Sequence, residues 1–310
     1  MRTVLIRSFG GPEVVELAEL PVPQAGPGEV LVRVAAAGVN PADWRIRAGE
    51  VRRLGEPPLG LGLDLAGAVA AVGPGADRFR PGDRVFGVVL PPQGSFAEYV
   101  TVPEAALART PDGLDDLTAA ALPVAGLTAW QALVGAAQLA AGERVLVHAG
   151  AGGVGHFAVQ IAKARGARVT ATAGPANQAL LGELGADEAV DYRGTDVFGA
   201  LGPFDVVLDP FSGENALRSL ALLRPGGRLV DVRGTGVDRT ELAERAGALG
   251  IALTELYFRP DAGDLAALGA LAEKGELRPH LSLVLPLERA GEAVTEVASG
   301  HARGKVVVQI

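Results

Sequence analysis

The segment Arg144-Val145-Leu146-Val147-His148-Ala149-Gly150-Ala151-Gly152-Gly153-Val154-Gly155-His156-Phe157-Ala158-Val159-Gln160-Ile161-Ala162 decides the fold of this chain. It opens on an apolar run of strand length and closes on an apolar-rich run of helix length, and Gly150, Gly152 and Gly155 between them fit G-x-G-x-x-G. Alone the pattern is weak, since a chain with 43 glycines produces glycine clusters by chance. The strand running in and the helix running out give it meaning. Glycines here permit a tight turn and a close approach of backbone N–H groups, and the helix N-terminus adds partial positive charge. Together these suit the pyrophosphate of a dinucleotide. The alternative is a tight strand-to-helix turn that binds nothing.

Outward from this loop the same alternation continues. Strand-like and helix-like runs follow in turn: Arg144–His148 then Val154–Arg165, Arg168–Ala173 then Ala176–Leu184, Ala189–Asp191, Val206–Asp209 then Glu214–Leu223, Arg228–Val232 and Ile251–Leu256. Strand, helix, strand in this order predicts right-handed crossovers and a parallel sheet covered on both faces, a doubly wound Rossmann domain. The first third reads differently, as short strands (Thr3–Ile6, Val14–Leu20, Glu29–Ala36, Ala66–Val72, Arg84–Val89, Phe96–Val102) punctuated by Gly, Pro and Asp. That pattern predicts a partly open β-barrel. The tail supplies helices at Asp264–Lys274 and Leu287–Val297 and strands at Ser282–Leu285 and Lys305–Ile310, which complete the barrel. The expected class is α/β, with residues 1–118 and 259–310 forming the barrel domain and 119–258 the dinucleotide-binding domain.

Composition narrows the chemistry. The 310 residues, 48% of them apolar, suffice for two cored domains. There is no cysteine, so disulfides, thiolate nucleophiles and cysteine-based metal sites are excluded. The four histidines, at 148, 156, 280 and 301, lack the close spacing of a helical metal pair. A net charge of −8 without a run of either sign carries no nucleic-acid footprint. The N-terminus is strand-like rather than a secretion signal, which makes the cytoplasm the expected compartment. Leu117 to Gly142 carries no charge, yet Pro123, Gly126, Gln131 and Gln138 interrupt it, so a buried helix pair is expected and no membrane partner.

The end of the second Rossmann strand sets the choice of dinucleotide, because NAD sites offer a carboxylate to the ribose 2′-OH there. No carboxylate lies between Glu143 and Glu183. This permits NADPH and makes NADH less favoured, although no Arg or Lys follows the strand directly. Thr172, Asn177, Gln178, Tyr192 and Arg193 are the candidates to hold the 2′-phosphate.

Further stations lie in order along the chain: Gly38-Val39-Asn40-Pro41-Ala42-Asp43-Trp44, Gly62-Leu63-Asp64-Leu65-Ala66-Gly67, Pro81-Gly82-Asp83-Arg84-Val85-Phe86-Gly87, Gly94-Ser95-Phe96-Ala97-Glu98-Tyr99, Gly126-Leu127-Thr128-Ala129-Trp130, Asp191-Tyr192, Pro225-Gly226-Gly227-Arg228 and Gly304-Lys305-Val306-Val307. With them, over essentially its whole length, the chain resembles the zinc-independent quinone oxidoreductases of the medium-chain dehydrogenase/reductase superfamily, the group that includes zeta-crystallin. The resemblance implies a GroES-like barrel domain, an NADPH cofactor, a small-molecule electron acceptor and a homodimer, the last strand near Ile251–Leu256 otherwise leaving an open edge. Zinc alcohol dehydrogenases of the superfamily carry a cysteine where Asn40 stands here and Gly-His-Glu where Gly62-Leu63-Asp64 stands. Pro123-Val124-Ala125, near the third ligand's place, is apolar. No metal is therefore expected, and the acceptors that fit are quinones and α,β-unsaturated carbonyls, which delocalise the incoming charge themselves.

By the same resemblance Asn40 and Thr128 lie beside nicotinamide and substrate. Gly152, Gly153 and Val154 meet the pyrophosphate, Thr172 and Tyr192 the adenosine side, and Arg233, Phe258 and Lys305 the nicotinamide half. Asn40 is either a donor to the substrate oxygen or a cap on the turn at Pro41. Asp43 is either a proton relay or a structural hydrogen-bond partner, and Arg47 either an oxyanion contact or an exposed charge. No residue is marked as the general acid, so the proton is expected from water. Two other functions fit the same features: an enoyl-thioester reductase, and a non-catalytic dinucleotide-binding protein of the crystallin type.

Overall fold

The computed structural model describes residues 1–234 and 236–310. In chain order its strands are β1 (Arg2–Ile6), β2 (Val15–Glu19), β3 (Glu29–Val39), β4 (Leu59–Gly60), β5 (Asp64–Val72), β6 (Arg84–Val88), β7 (Tyr99–Pro103), β8 (Leu107–Arg109), β9 (Arg144–Val147), β10 (Arg168–Ala173), β11 (Glu188–Asp191), β12 (Phe204–Asp209), β13 (Leu223–Asp231), β14 (Ala252–Glu255), β15 (Leu281–Pro286) and β16 (Lys305–Gln309). The helices are α1 (Pro41–Arg47), α2 (Asp116–Ala121), α3 (Pro123–Trp130), α4 (Gly155–Ala164), α5 (Gln178–Glu183), α6 (Val197–Ala200), α7 (Gly213–Ser219), α8 (Thr240–Ala248), α9 (Ala262–Glu273) and α10 (Ala290–Ala298). By compactness the chain divides into one unit of Met1–Leu127, Arg259–Gly275 and Pro279–Ile310, and another of Thr128–Phe258 with Glu276–Arg278.

The first unit is the expected barrel. Its large sheet runs β15-β16-β3-β5-β6-β8, with β7 beside β3, and a small sheet pairs β2-β1-β4. Breaks of register at Leu31/Val32 and Val34/Ala36 let β3 bend and serve β5, β7 and β16 at once. Gly67 is required where β5 crosses β3, since a Cβ there would stand 2.1 Å from the Arg33 carbonyl oxygen. Inward-facing Val30, Val32, Val34, Leu65, Val69, Val85 and Val100 form the core, each contributing roughly 1.5–3 kcal/mol by burial. The alanines of α2 pack on this sheet, where the Ala120 carbonyl occupies the space a Cβ on Gly38 would need. For that reason the passage between units falls at Leu127/Thr128, later than the 118/119 boundary read from sequence.

The second unit is a doubly wound sheet of order β11-β10-β9-β12-β13-β14, every neighbouring pair parallel. Counted from β9 this is 3-2-1-4-5-6, so the order reverses beside β9, the strand that feeds the glycine loop. Open α/β sheets bind ligands at that switch point, outside the carboxyl ends of the strands. Helix α4 starts at Gly155, and the whole span from Gly155 to Ala162 is buried, which holds the loop on a rigid base.

Local differences have local causes. α1 was not expected, because seven residues capped by Asn40 and Pro41 read as a turn. α8 and the short strands β4 and β8 were also missed. The uncharged stretch forms α2 and α3 as a buried pair, continuing into a wider-wound π-helical turn at Gln131–Ala136. No helix among the described residues is long and apolar enough to cross a membrane.

Candidate functional site

In the second unit the glycine loop is anchored at both ends and accessible at its tip. The Gly150 N–H donates to the Thr172 carbonyl (2.8 Å), the Gly152 N–H to the Ala149 carbonyl (2.9 Å), and the His156 N–H to the Gly152 carbonyl (3.0 Å). Gly150 and Gly155 are buried, whereas Gly152, Gly153 and Val154 are only partly so. Ala149 enters the loop in the left-handed region, at φ 52°. A Cβ on Gly155 would meet the Ala149 carbonyl oxygen at 2.1 Å. The loop is therefore a cradle of backbone lying over the N-terminus of α4.

At the end of β10 the five candidates part company. Thr172 is buried, and its hydroxyl lies 3.3 Å from Nδ1 of His148. His148 Nε2 lies 3.0 Å from the Ser219 hydroxyl, which itself donates to the Asn215 carbonyl (2.7 Å). With the Ser219 proton spent, Nε2 must carry the histidine proton and Thr172 must donate to Nδ1. Burial pushes His148 down to about 4, so it is neutral. Thr172 thus corrects one expectation: its hydroxyl and its carbonyl both brace the loop from within. Gln178 corrects another, because its amide donates to the Ala173 and Gly174 carbonyls (3.0 and 3.2 Å) and caps the strand end. Asn177 is half-buried, with its Oδ1 lacking a partner. Tyr192 is 53% exposed with Arg193 stacked by its ring. A Cβ built on Gly174 would have the Tyr192 hydroxyl at 3.8 Å and Arg193 Nε at 3.9 Å. A phenol and a guanidinium therefore converge where an NAD site places its carboxylate.

At the carboxyl ends of the next strands stand two buried acids that the sequence reading did not single out. Asp209 accepts from Phe211 N, Ser212 N and Asn215 Nδ2. Asp231 accepts from Arg239 Nε (2.7 Å) and from the Arg233 amide (2.8 Å), which fixes the backbone of that predicted cofactor contact. Phe258 is half-buried, and Thr128 is buried in α3.

The first unit holds a second group. Asn40, at the end of β3, caps α1. Asp43 sends one carboxylate oxygen to the Asn40 amide (2.7 Å) and the other to the Gly62 amide (3.0 Å). With both oxygens bonded to backbone N–H groups, Asp43 holds the turn that presents Asn40, which is the structural one of its two readings. Lys305 overturns its expectation too. Its ammonium is 2% exposed and donates to Val39 O (2.9 Å), Asn40 Oδ1 (2.7 Å) and Asp64 Oδ2 (3.0 Å), so no donor remains for a cofactor. Asp64, which also accepts from Asn40 Nδ2 (2.9 Å) and Val124 N (2.7 Å), was missed as a site residue. Burial pushes it upward, against Lys305, Asn40 and the Val124 amide. Arg47 is buried rather than exposed, with Nε and Nη1 meeting no acceptor.

Burial, opposed by the Asn40 and Gly62 amides and reinforced by Asp64, pushes Asp43 up from 3.8 to about 7. A carboxyl raised on folding contributes stability that is complete below its unfolded pKa and lost as pH rises through its folded one. Wild type should therefore lose on the order of a few kcal/mol relative to Asp43→Asn between pH 4 and 7, with no further change above. Urea midpoints of both proteins across that range measure it, and parallel profiles would refute the assignment.

Residues 26–112 match the family model described as the alcohol dehydrogenase GroES-like domain, and 184–308 the one described as zinc-binding dehydrogenase. The chain is 35% identical over 324 residues to the human quinone oxidoreductase, spanning 99% of this chain and 97% of the relative. The quinone oxidoreductase structure from Coxiella burnetii superposes with TM-score 0.93 at 33% identity, covering 100% and 99% of the two chains. The Escherichia coli quinone oxidoreductase complexed with NADPH does so with TM-score 0.89 at 27% identity, covering 100% of each.

Proposed function

Because the chain belongs to the quinone oxidoreductase branch of the medium-chain dehydrogenase/reductase superfamily, we propose that this oxidoreductase reduces quinones or α,β-unsaturated carbonyls with NADPH and without a metal ion. The observation that carries the reading is the pairing, within one unit, of the backbone cradle at Gly150–Gly155 with Tyr192 and Arg193 facing Gly174. Gly152, Gly153 and Val154 would hold the pyrophosphate, with Asn177, Tyr192 and Arg193 at the 2′-phosphate and Arg233 and Phe258 toward the nicotinamide. When bound, the reduced nicotinamide supplies the hydride.

The residues at the family's metal position do not fit zinc. Leu63 offers no lone pair, the Asn40 oxygen and Asp64 already hold the Lys305 ammonium, and a second cation would repel it. Among the described residues no group of three or more His, Cys, Asp or Glu side chains could hold a metal ion. Asn40 is proposed to donate to the acceptor's oxygen as charge develops, with Thr128 beside the reacting groups and water as the proton source. Strand β14 ends the six-stranded sheet, and its open edge supports a homodimer.

Consumption of NADPH and NADH against a panel of quinones, enones and an enoyl-CoA, with and without a chelator, tests the proposal. Turnover of quinones and enones that survives chelation is expected. Tight NADPH binding with no turnover of any acceptor would move the protein to the non-catalytic class. Arg193→Gln should raise KM for NADPH roughly tenfold and leave KM for NADH nearly unchanged, since only the 2′-phosphate meets the lost charge.

A further inference from the structure

We propose that Lys305 and Asp64 are positioning residues that make the Asn40 amide a single, oriented and polarised hydrogen-bond donor. The inference rests on the reading of Asn40 as the donor to the acceptor's oxygen.

A free asparagine amide offers two N–H donors and one oxygen, and it turns over at little cost. Here it cannot. Oδ1 accepts from the Lys305 ammonium at 2.7 Å and Nδ2 donates to the Asp64 carboxylate at 2.9 Å. Turning the amide over would set NH₂ against an ammonium and C=O against a carboxylate. All three side chains are at most 3% exposed, so water screens neither repulsion. One N–H of Nδ2 is committed to Asp64, which leaves one for a ligand.

The frame around the amide is equally committed. Lys305 reaches from β16 to the Val39 carbonyl at the end of β3, and Asp64, opening β5, accepts from the Val124 amide at the start of α3. Four chain segments thus meet at one amide, all within the first unit. The ammonium also acts on the electronics. A cation on the amide oxygen draws density from nitrogen and strengthens the remaining N–H donor, the more so as negative charge grows opposite it. A purely structural ion pair needs neither the Lys305–Asn40 nor the Asn40–Asp64 bond.

Lys305→Met leaves a buried carboxylate alone and threatens folding, so the charge-neutral Lys305→Met/Asp64→Asn protein is made beside it. Both, where folded, should lose about 10- to 100-fold in kcat with an enone, and less with a quinone, which stabilises its own charge. NADPH affinity should not move. In an Asn40→Ala background the double substitution should cost nothing further. Hydrogen exchange of the Asn40 side-chain amide supplies a readout without turnover: slow in wild type and fast once Lys305 and Asp64 are replaced. Losses that multiply with Asn40→Ala, or an amide still protected in the charge-neutral protein, would overturn the proposal. Should wild type reduce no acceptor, the proposed function fails while the exchange measurement still decides the positioning.

Discussion

Gly155→Ala is expected to weaken dinucleotide binding by about 100-fold or more and to lower stability by at least about 2 kcal/mol. The added Cβ would stand 2.1 Å from the Ala149 carbonyl oxygen, 2.8 Å from its carbon and 2.9 Å from the Gly150 Cα, all of them backbone. Ala149 has little room to yield. It already sits at φ 52°, its carbonyl receives the Gly152 N–H, and its neighbour Gly150 is tied to Thr172. Relief would have to move the loop off the start of α4, which is the movement that removes the cradle. Gly152→Ala separates the two effects. Its Cβ approaches the same carbonyl only to 3.2 Å, so stability should change little, while the partly exposed position projects a methyl group into the proposed pyrophosphate site. Gly247→Ala is the control: it lies in α8 with nothing within 4 Å, and helix propensity predicts a gain of up to about 1 kcal/mol. Titration of NADPH by fluorescence, with urea midpoints, measures all three. Full binding by Gly155→Ala would mean that the loop is not the dinucleotide site.

What the sequence could reveal follows from how far apart the interacting groups lie. The glycine loop and the strand-helix alternation are local patterns, and the six-strand parallel sheet follows from them by the handedness of crossovers. Short barrel strands are just as local, but which strand pairs with which is not. The Lys305–Asp64 contact joins residues 241 apart. A hint was present nonetheless, for Asp64 is the one charge in Leu63–Val72 and Lys305 the one charge in 304–308. A lone acid and a lone base in apolar strands each need a buried partner, and each is the other's. Thr172 and Gln178 show the opposite limit. Sequence places Thr172 in β10 and Gln178 just after it, yet the direction of their side chains depends on His148 and on the freed carbonyls of Ala173 and Gly174.

Asp231→Ala should be among the most destabilising substitutions in the second unit, costing about 3–5 kcal/mol. Arg239 and Asp231 have side chains 5% and 0% exposed, with Nε to Oδ2 at 2.7 Å and Nη2 to Oδ1 at 3.1 Å. Arg239 also reaches the Gly234 and Val237 carbonyls (2.9 and 3.2 Å) and thereby ties the residues after β13 back to the strand. Removing the carboxylate leaves the buried guanidinium with only the half-exposed Glu255, 3.6 Å from Nη1, as an acidic partner, whereas removing both partners leaves no buried charge. Asp231→Leu with Arg239→Met should therefore recover most of the stability, because apolar groups of similar size fill the space without a desolvation cost. Dinucleotide affinity should not recover with it. Asp231 also accepts from the Arg233 amide at 2.8 Å, and neither leucine nor methionine can hold that backbone at the carboxyl end of β13, where open sheets of this kind meet their ligands. Urea midpoints and NADPH titrations on the three proteins should separate stability from binding. If both quantities recover together, the carboxylate serves the core alone and Arg233 needs no such anchor.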